Sequence, residues 1–382
     1  MRFEFATANR ILFGAGVCVE IPQAARAYGS RTLLVGSPSR SGALRDGLRS
    51  AGVETIPYSF AGEPSVASVL EGVRTAREDD CDLVIGMGGG STLDAGKAIA
   101  ALLTNPGDIF DYLEVIGRGK SFQVQSAPYI AIPTTAGTGT EVTRNAVIAS
   151  PEHKVKVSLR GPFLLPRLAV IDPELTYTLP PSVTAATGLD ALTQLIEPFT
   201  SNAANPMTDA VCREGMRRIA LNLLHAYQDG NDKEARQDMC LASLFSGMAL
   251  ANARLGAVHG FAGVIGGSFP APHGALCARL LPFVMEANLR ALQSRQPDDP
   301  ILTRYTEIAQ ILTGDTQAQA EEGIDWVLQL LNEMKIPPLS AYGLSDAAHP
   351  AIVTSANKSS SMKGNPLALS EQALVEILVK AC

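Results

Sequence analysis

An α/β domain with a parallel sheet, followed by an all-helical domain, is the fold class this sequence predicts, and three observations carry the prediction. The chain has 382 residues, more than a single hydrophobic core usually serves, so two domains are expected. From about Arg31 to Ile171, short apolar, β-branched runs alternate with amphipathic helical patterns, the order expected of parallel strands joined by helical crossovers. After IDPELTYTLPPSV the alternation stops, and nearly everything to Cys382 has helical periodicity broken by polar or Gly/Pro turns.

The elements follow in order. RTLLVGS is a strand, ALRDGLRSAG a helix, VETIPYSF a strand, VASVLEGVRTARE a helix, CDLVIGMG a strand, TLDAGKAIAALL a helix and PYIAIP a strand. Pro180 and Pro181 disfavour helix in the residue before each, which sets the boundary between residues 1–180 and 181–382. Within the second part, SRQPDDP at 294–300 and GDTQAQ at 314–319 have the composition of surface loops. No internal repeat or low-complexity segment is present.

Composition excludes several classes of function. A formal net charge of −7 without a basic run lacks the electrostatic footprint of a nucleic-acid binder. The six cysteines contain no CxxC pair, and a chain this long is no disulfide scaffold, so a reducing, cytoplasmic compartment is expected. The opening MRFEFATANRILFGAG lacks the uninterrupted apolar core of a secretion signal. The longest candidate membrane span, ASLFSGMALANARLGAVHGFAGVIGG, carries Asn252, Arg254 and His259. An arginine near a helix centre costs roughly 2.5–3.5 kcal/mol on insertion, so this stretch suits closely packed buried helices better. The expected partners are a small molecule and further copies of the chain.

Two glycine loops follow predicted strands. In DLVIGMGGGSTLDAGKAIA a buried-type strand runs into Gly88, Gly89 and Gly90 and then directly into a helix. Glycines there let backbone amides approach a pyrophosphate, and the helix amino terminus adds donors and positive dipole. A purely structural turn is the other reading, with Ser91 as N-cap and Asp94 completing a capping box. Neither standard nucleotide motif fits: Gly90 is too far from the Gly96-Lys97 pair for a Walker loop, and Ser91 stands where a Rossmann fingerprint has its last glycine. The second loop, PTTAGTGTEVT, runs from Pro133 to Thr143.

The helical part holds a candidate metal set. In GLDALTQLIE, Asp190 and Gln194 are four residues apart and share one helix face. His259 and His273 flank a glycine-rich turn, and each is followed by glycine. A lone histidine in an apolar segment is ordinarily a hydrogen-bonded core residue. An Asp, His, His set with an open position is, by contrast, a familiar arrangement for catalytic Zn²⁺ or Fe²⁺.

At these residues the chain resembles the iron-containing, or group III, alcohol dehydrogenase family over nearly its whole length. The resemblance is carried by GGGSTLDAGK at Gly88–Lys97, PTTAGTGTE, LAVIDPELTYTLPP, TGLDALTQLIEPF, the HG and PHG pair, and MKGNP at Met362–Pro366. It implies a dehydroquinate synthase-like fold, with a dinucleotide-binding α/β domain and an all-α metal-binding domain. It also implies reversible, NAD(P)-dependent oxidation of an alcohol in the cleft between them, and a homodimer or higher homo-oligomer. By position, Gly88, Gly89, Gly90 and Ser91 would hold the pyrophosphate, with Asp94 and Lys97 shaping the loop. Thr134, Thr135 and Thr138 would line the nicotinamide side, and Lys156 would meet a ribose. Asp190, His259 and His273 would be the catalytic metal ligands.

The chain departs from the family pattern in two places. Gln194 occupies the position of a fourth ligand that is histidine in many members, and an amide oxygen should hold Fe²⁺ less tightly than imidazole. The remaining set resembles the zinc site of glycerol dehydrogenases in the same superfamily. Gly263 stands where many relatives carry a histidine near the nicotinamide, which removes a proton relay and leaves room for a bulkier substrate. At the end of the first strand, Ser37 replaces the aspartate frequent in NAD-preferring relatives, and Ser37, Ser39 and Arg40 could accept a 2′-phosphate, so NADPH should serve at least as well as NADH.

The resulting expectation is a metal, Fe²⁺ or Zn²⁺, acting as a Lewis acid on the substrate oxygen while hydride passes to or from the nicotinamide. Asp190, His259 and His273 hold the metal, with Gln194 as a possible fourth donor. The alternatives are a metal-free maleylacetate reductase-like reduction of a carboxylated ketone, a dehydroquinate synthase-like lyase, and a non-catalytic nucleotide-binding protein. The lyase would need basic residues for a sugar phosphate near Asp190, and the sequence offers no such cluster.

Overall fold

The computed structural model describes the whole chain except Met1, Ala61 and Lys154. Two compact units are present: one comprises Thr7–Thr135 and Gly139–Tyr177, the other Met1–Ala6, Ala136–Thr138 and Thr178–Cys382. The linear division at residue 180 does not express the two short segments that belong with the helices. Ala6 is tied there by its backbone N–H and C=O, which bond the Asn252 side chain at 2.6 and 2.8 Å. Gly137 is tied by its carbonyl, which accepts from Ser246 Oγ at 3.2 Å.

The first unit contains a six-stranded parallel sheet of β1 (Ile11–Phe13), β2 (Arg31–Gly36), β3 (Glu54–Tyr58), β4 (Leu83–Gly88), β5 (Tyr129–Pro133) and β8 (Leu168–Ile171). Its spatial order is β1-β8-β5-β4-β2-β3. Crossovers are made by α1 (Ile21–Arg26), α2 (Gly42–Ser50), α3 (Val66–Glu78), α4 (Gly90–Thr104) and the short α5 (Ile109–Tyr112). The inner strands β4, β5 and β8 are apolar and buried on both faces, whereas the edge strand β3 is partly exposed. Leu33 and Val35 pack with Val69, Val73 and Ile99 on one side, and Leu34 with Ile21, Ala25 and Leu48 on the other.

Two features go beyond the strand-helix alternation of the sequence. The edge strand β1 is only three residues long and gains its place by parallel pairing with β8. An antiparallel hairpin, β6 (Asn145–Ser150) with β7 (Val155–Arg160), forms a separate two-stranded sheet.

The second unit consists of α6 (Pro181–Thr200), α7 (Pro206–Gln228), α8 (Lys233–Asn252), α9 (Ala257–Ser268), α10 (His273–Arg295), α11 (Ile301–Thr313), α12 (Ala320–Glu333), α13 (His349–Ala356) and α14 (Glu371–Ala381). Fifteen of the 20 residues of α6 are buried, which makes it the central helix around which the others pack. The loop residues 296–300 and 314–319 join α10 to α11 and α11 to α12. Among the described residues no single helix is long and apolar enough to cross a membrane, and the candidate stretch is split into α8 and α9, bent by 97°.

Candidate functional site

In the first unit the strand order reverses between β2 and β4: β3 lies beyond β2, whereas β5 and β8 lie beyond β4. In open parallel sheets ligands bind at the carboxyl ends of the strands flanking such a reversal. The residues there are Ser37 after β2, Gly89 and Gly90 after β4, and Thr134 and Thr135 after β5. The two glycine loops are in direct contact, since Thr134 N–H donates to the Gly88 carbonyl at 2.9 Å.

The capping box expected of Ser91 and Asp94 does not form. Helix α4 begins at Gly90, its N-cap is Gly89, and no side chain caps it. Its first-turn amides therefore have no side-chain partner. A Cβ built on Gly89 would lie 3.5 Å from Thr135, in ordinary van der Waals contact with the second glycine loop. Gly96, further along α4, has a different role. A Cβ there would lie 2.7 Å from the Tyr129 ring, so glycine lets the helix sit directly on β5.

Asp94 faces inward, accepting from Thr140 Oγ1 at 3.1 Å and Val147 N–H at 3.0 Å. Lys97 Nζ lies 3.4 Å from its Oδ1 and donates to Thr143 Oγ1 and the Thr140 carbonyl at 2.8 and 2.9 Å. Burial pushes the Asp94 carboxyl up and the Lys97 ammonium down, against their mutual attraction. This pair pins the second glycine loop to α4. Nearby Glu141 is raised to about 7, chiefly by burial, with Lys97 pulling the other way.

Lys156 lies on the separate hairpin, where its ammonium pairs with Glu63 at 2.7 Å. Ser37 belongs to an exposed turn with Ser39, their hydroxyls 2.9 Å apart, and Arg40 N–H bonds the Ser37 carbonyl at 3.1 Å. Thr138 falls in the other unit.

In the helical unit, Asp190, His259, His273 and Cys277 converge, with one donor atom from each lying within 4.8 Å of the others. Asp190 and Gln194 stand one turn apart on α6, and each is only 2 % exposed. Asp190 Oδ1 and Gln194 Oε1 are buried without a hydrogen-bond partner. The imidazole Nε2 atoms of His259 and His273 approach Asp190 Oδ1 to 3.5 and 3.8 Å, beyond normal hydrogen-bonding reach. Four donor atoms facing a common centre with poor bonds to each other are suited to holding a cation. The His273 side chain is 38 % exposed, so the cluster opens on that side.

Local structure explains the convergence. Helix α10 starts at His273, and its next residue is Gly274, where a Cβ would lie 2.3 Å from the Ala186 carbonyl oxygen. Glycine thus lets the start of α10 abut α6. The start of α9 is held by Asn365 of MKGNP, whose Oδ1 accepts from Ala257 N–H at 3.2 Å. Glu197, seven residues after Asp190 on α6, accepts from Val258 N–H at 2.7 Å and bonds His259 Nδ1 at 2.6 Å. A carboxylate on Nδ1 holds a proton there and leaves Nε2 as the nitrogen that faces the centre.

The charges act on one another accordingly. Burial opposes charging of His259, but Cys277 and Glu197 outweigh it and carry its pKa well above the ordinary value. Cys277 likewise raises His273, against burial. Asp190 is held low although burial opposes this, because His259, His273 and Gln194 outweigh burial.

Two site residues were not singled out by sequence reasoning, Glu197 and Cys277. Both carried a signal: Glu197 lies on the face of α6 that bears Asp190 and Gln194, and Cys277 is four residues after His273. Gly263 lies on α9, and a Cβ there would meet nothing within 4 Å.

A parallel α/β unit whose strand order reverses beside an uncapped helix start, followed by a helical unit with a buried oxygen, nitrogen and sulfur cluster, is the architecture to be placed among known proteins. Residues 8–173 match the family described as iron-containing alcohol dehydrogenase, and residues 184–382 its Fe-containing alcohol dehydrogenase C-terminal domain. The chain belongs to the iron-containing alcohol dehydrogenase family. It is 38 % identical over 343 residues to alcohol dehydrogenase 4 of Saccharomyces cerevisiae strain YJM789, covering 89 % of this chain and 87 % of that one. It is 33 % identical over 394 residues to 1,3-propanediol dehydrogenase of Klebsiella pneumoniae, covering 99 % and 98 %. Among solved structures, a 1,3-propanediol oxidoreductase superposes with a TM-score of 0.92 at 32 % identity, covering 100 % of both chains. The chain is accordingly an alcohol dehydrogenase, an oxidoreductase acting on CH–OH groups with NAD(P) and a divalent metal as cofactors.

Proposed function

We propose that this alcohol dehydrogenase is metal-assisted and also works in reverse as an aldehyde or ketone reductase, with Asp190, His259 and His273 as the metal-holding residues. The observation that carries the reading is the unpartnered Asp190 Oδ1, buried and approached by two imidazole Nε2 atoms at 3.5 and 3.8 Å. A divalent cation held there supplies Lewis-acid polarisation of the substrate oxygen. Glu197 keeps the His259 tautomer in which Nε2 is free. The open side at His273 admits the substrate. Gly263 carries no side chain that could relay a proton, which leaves water or a cofactor hydroxyl to carry it.

The nucleotide reading rests on the uncapped start of α4 and the loops beside it. Gly88, Gly89, Gly90 and Ser91 bind the pyrophosphate, Asp94 and Lys97 hold the loop in shape, and Thr134, Thr135 and Thr138 serve the nicotinamide. Lys156 reaches a ribose by exchanging Glu63 for it. The exposed turn of Ser37, Ser39 and Arg40 carries no carboxylate, which supports use of NADPH. The six free cysteines are in keeping with a cytoplasmic protein.

The test is elemental analysis of freshly purified protein coupled to NADPH oxidation with a panel of aldehydes. The assays are run before and after chelation and re-addition of Zn²⁺ or Fe²⁺. About one metal per chain is expected, with activity that falls and returns with it. Activity indifferent to chelation would overturn the metal-assisted scheme and point to metal-free ketone reduction.

A further inference from the structure

The fourth position of the metal site is unassigned, because Gln194 replaces the imidazole found there in many family members. Resting on the metal reading above, we propose that the Cys277 thiolate is the fourth protein ligand, and that the resulting O,N,N,S donor set selects Zn²⁺ over Fe²⁺.

Helical spacing brings the sulfur to the site. His273 is the first residue of α10, and Cys277 follows one turn later on the same face. Its Sγ lies 3.6 Å from His273 Nε2 and 3.8 Å from His259 Nε2. Around a tetrahedral zinc with Zn–S of about 2.3 Å and Zn–N of about 2.0–2.1 Å, sulfur and nitrogen stand about 3.6 Å apart. The same geometry puts oxygen and nitrogen about 3.3 Å apart, close to the 3.5 and 3.8 Å between Asp190 Oδ1 and the two Nε2 atoms. Four of the six edges therefore match one coordination tetrahedron expanded by up to about 0.5 Å, and the other two lie within 4.8 Å.

Hydrogen bonding alone accounts poorly for this arrangement. The two sulfur contacts are long, at 3.6 and 3.8 Å, and Asp190 Oδ1 remains buried without a partner. Gln194 stands one turn from Asp190 on the same helix face, with its Oε1 buried and unpartnered. Its neutral amide oxygen is a weaker donor than a thiolate for zinc, whereas thiolate with imidazole is a preferred zinc combination. Metal binding releases the Cys277 thiol proton to solvent.

Zinc K-edge X-ray absorption on the full, zinc-loaded protein tests the proposal without any substitution. One sulfur scatterer at about 2.3 Å per zinc is expected. One zinc bound with only nitrogen and oxygen neighbours would overturn the assignment of Cys277 while leaving the metal reading intact. Failure of the protein to take up zinc would overturn the metal reading, and this proposal with it. Cobalt(II) gives an independent readout. The wild type should show a near-ultraviolet thiolate-to-cobalt charge-transfer band that disappears in Cys277→Ser, and a band that persists there would place the sulfur elsewhere. Should Cys277→Ser fail to hold cobalt, the double variant Cys277→Ser, Gln194→His restores four donors. It is expected to bind cobalt without the band, and a band in that variant would likewise overturn the proposal. In competition with Fe²⁺, the wild type should retain zinc and Cys277→Ser should retain it less well. Equal retention would refute the claim that the sulfur sets the metal preference.

Discussion

Replacing Glu197 by glutamine is the most informative perturbation of the helical unit, because it preserves shape while removing one acceptor. The Glu197 carboxylate serves two donors at once, Val258 N–H at 2.7 Å through Oε1 and His259 Nδ1 at 2.6 Å through Oε2. An amide has a single acceptor oxygen. If that oxygen stays with Val258, the NH₂ group faces Nδ1 and drives the imidazole proton to Nε2, where it blocks the lone pair aimed at Asp190. If the oxygen instead serves His259, the Val258 amide at the start of α9 is left buried and unpaired. Either outcome loses one charge-assisted hydrogen bond, worth about 1.5–3 kcal/mol. In the first outcome the blocked Nε2 corresponds to roughly a 10- to 100-fold loss of metal affinity, the range usual for groups that orient a ligand; in the second the loss falls on folding stability. The assay is competition for Zn²⁺ against a chromophoric chelator, with circular dichroism to confirm that the variant is folded. Metal affinity within a factor of two of the wild type together with unchanged stability in urea would refute the claim that Glu197 serves both donors and sets the His259 tautomer.

Three further outcomes follow from the same structure. Replacing His273 with alanine should lower turnover on the order of 100-fold or more while leaving nucleotide binding, followed by NADPH fluorescence, unchanged; normal turnover would sink the metal scheme. Glu141 is raised from 4.5 to about 7, so the folded state holds a proton that the unfolded chain releases between those values. Its contribution is therefore fully present below about pH 4.5 and lost as pH rises through about 7, a change on the order of 3 kcal/mol. Glu141→Gln should gain on the wild type by about that amount in urea unfolding from about pH 5 to about pH 8, and parallel pH profiles would contradict this. Gly96→Ala would put a methyl 2.7 Å from the buried Tyr129 ring, an overpacking expected to cost about 1–3 kcal/mol by urea denaturation; a neutral result would mean that the ring moves freely.

Local pattern made much of this protein legible. The runs RTLLVGS, VETIPYSF, CDLVIGMG and PYIAIP become β2 to β5, the inner β4 and β5 being apolar because they are buried on both faces. The glycine loop was visible because a run of glycines between a strand and a helix start is a local pattern. Asp190 and Gln194 could be placed on one face of α6 because helical period is a local property. Tertiary structure decided the rest. The β6–β7 hairpin and the three-residue β1 lie below what periodicity resolves, and β1 exists only through its pairing with β8. The start of α4 at Gly90 displaced Ser91 from the cap, and Asp94 turned inward to Thr140 and Val147, 46 and 53 residues away. Glu197 meets His259 across 62 residues and Cys277 meets His259 across 18. Spacing along a helix determines which side chains share a face, but only the packing of α6, α9 and α10 determines which faces meet. The sequence by itself therefore determined the family, the two architectures and three of the four converging side chains, while the closure of the cluster by Cys277 and its orientation by Glu197 came from packing.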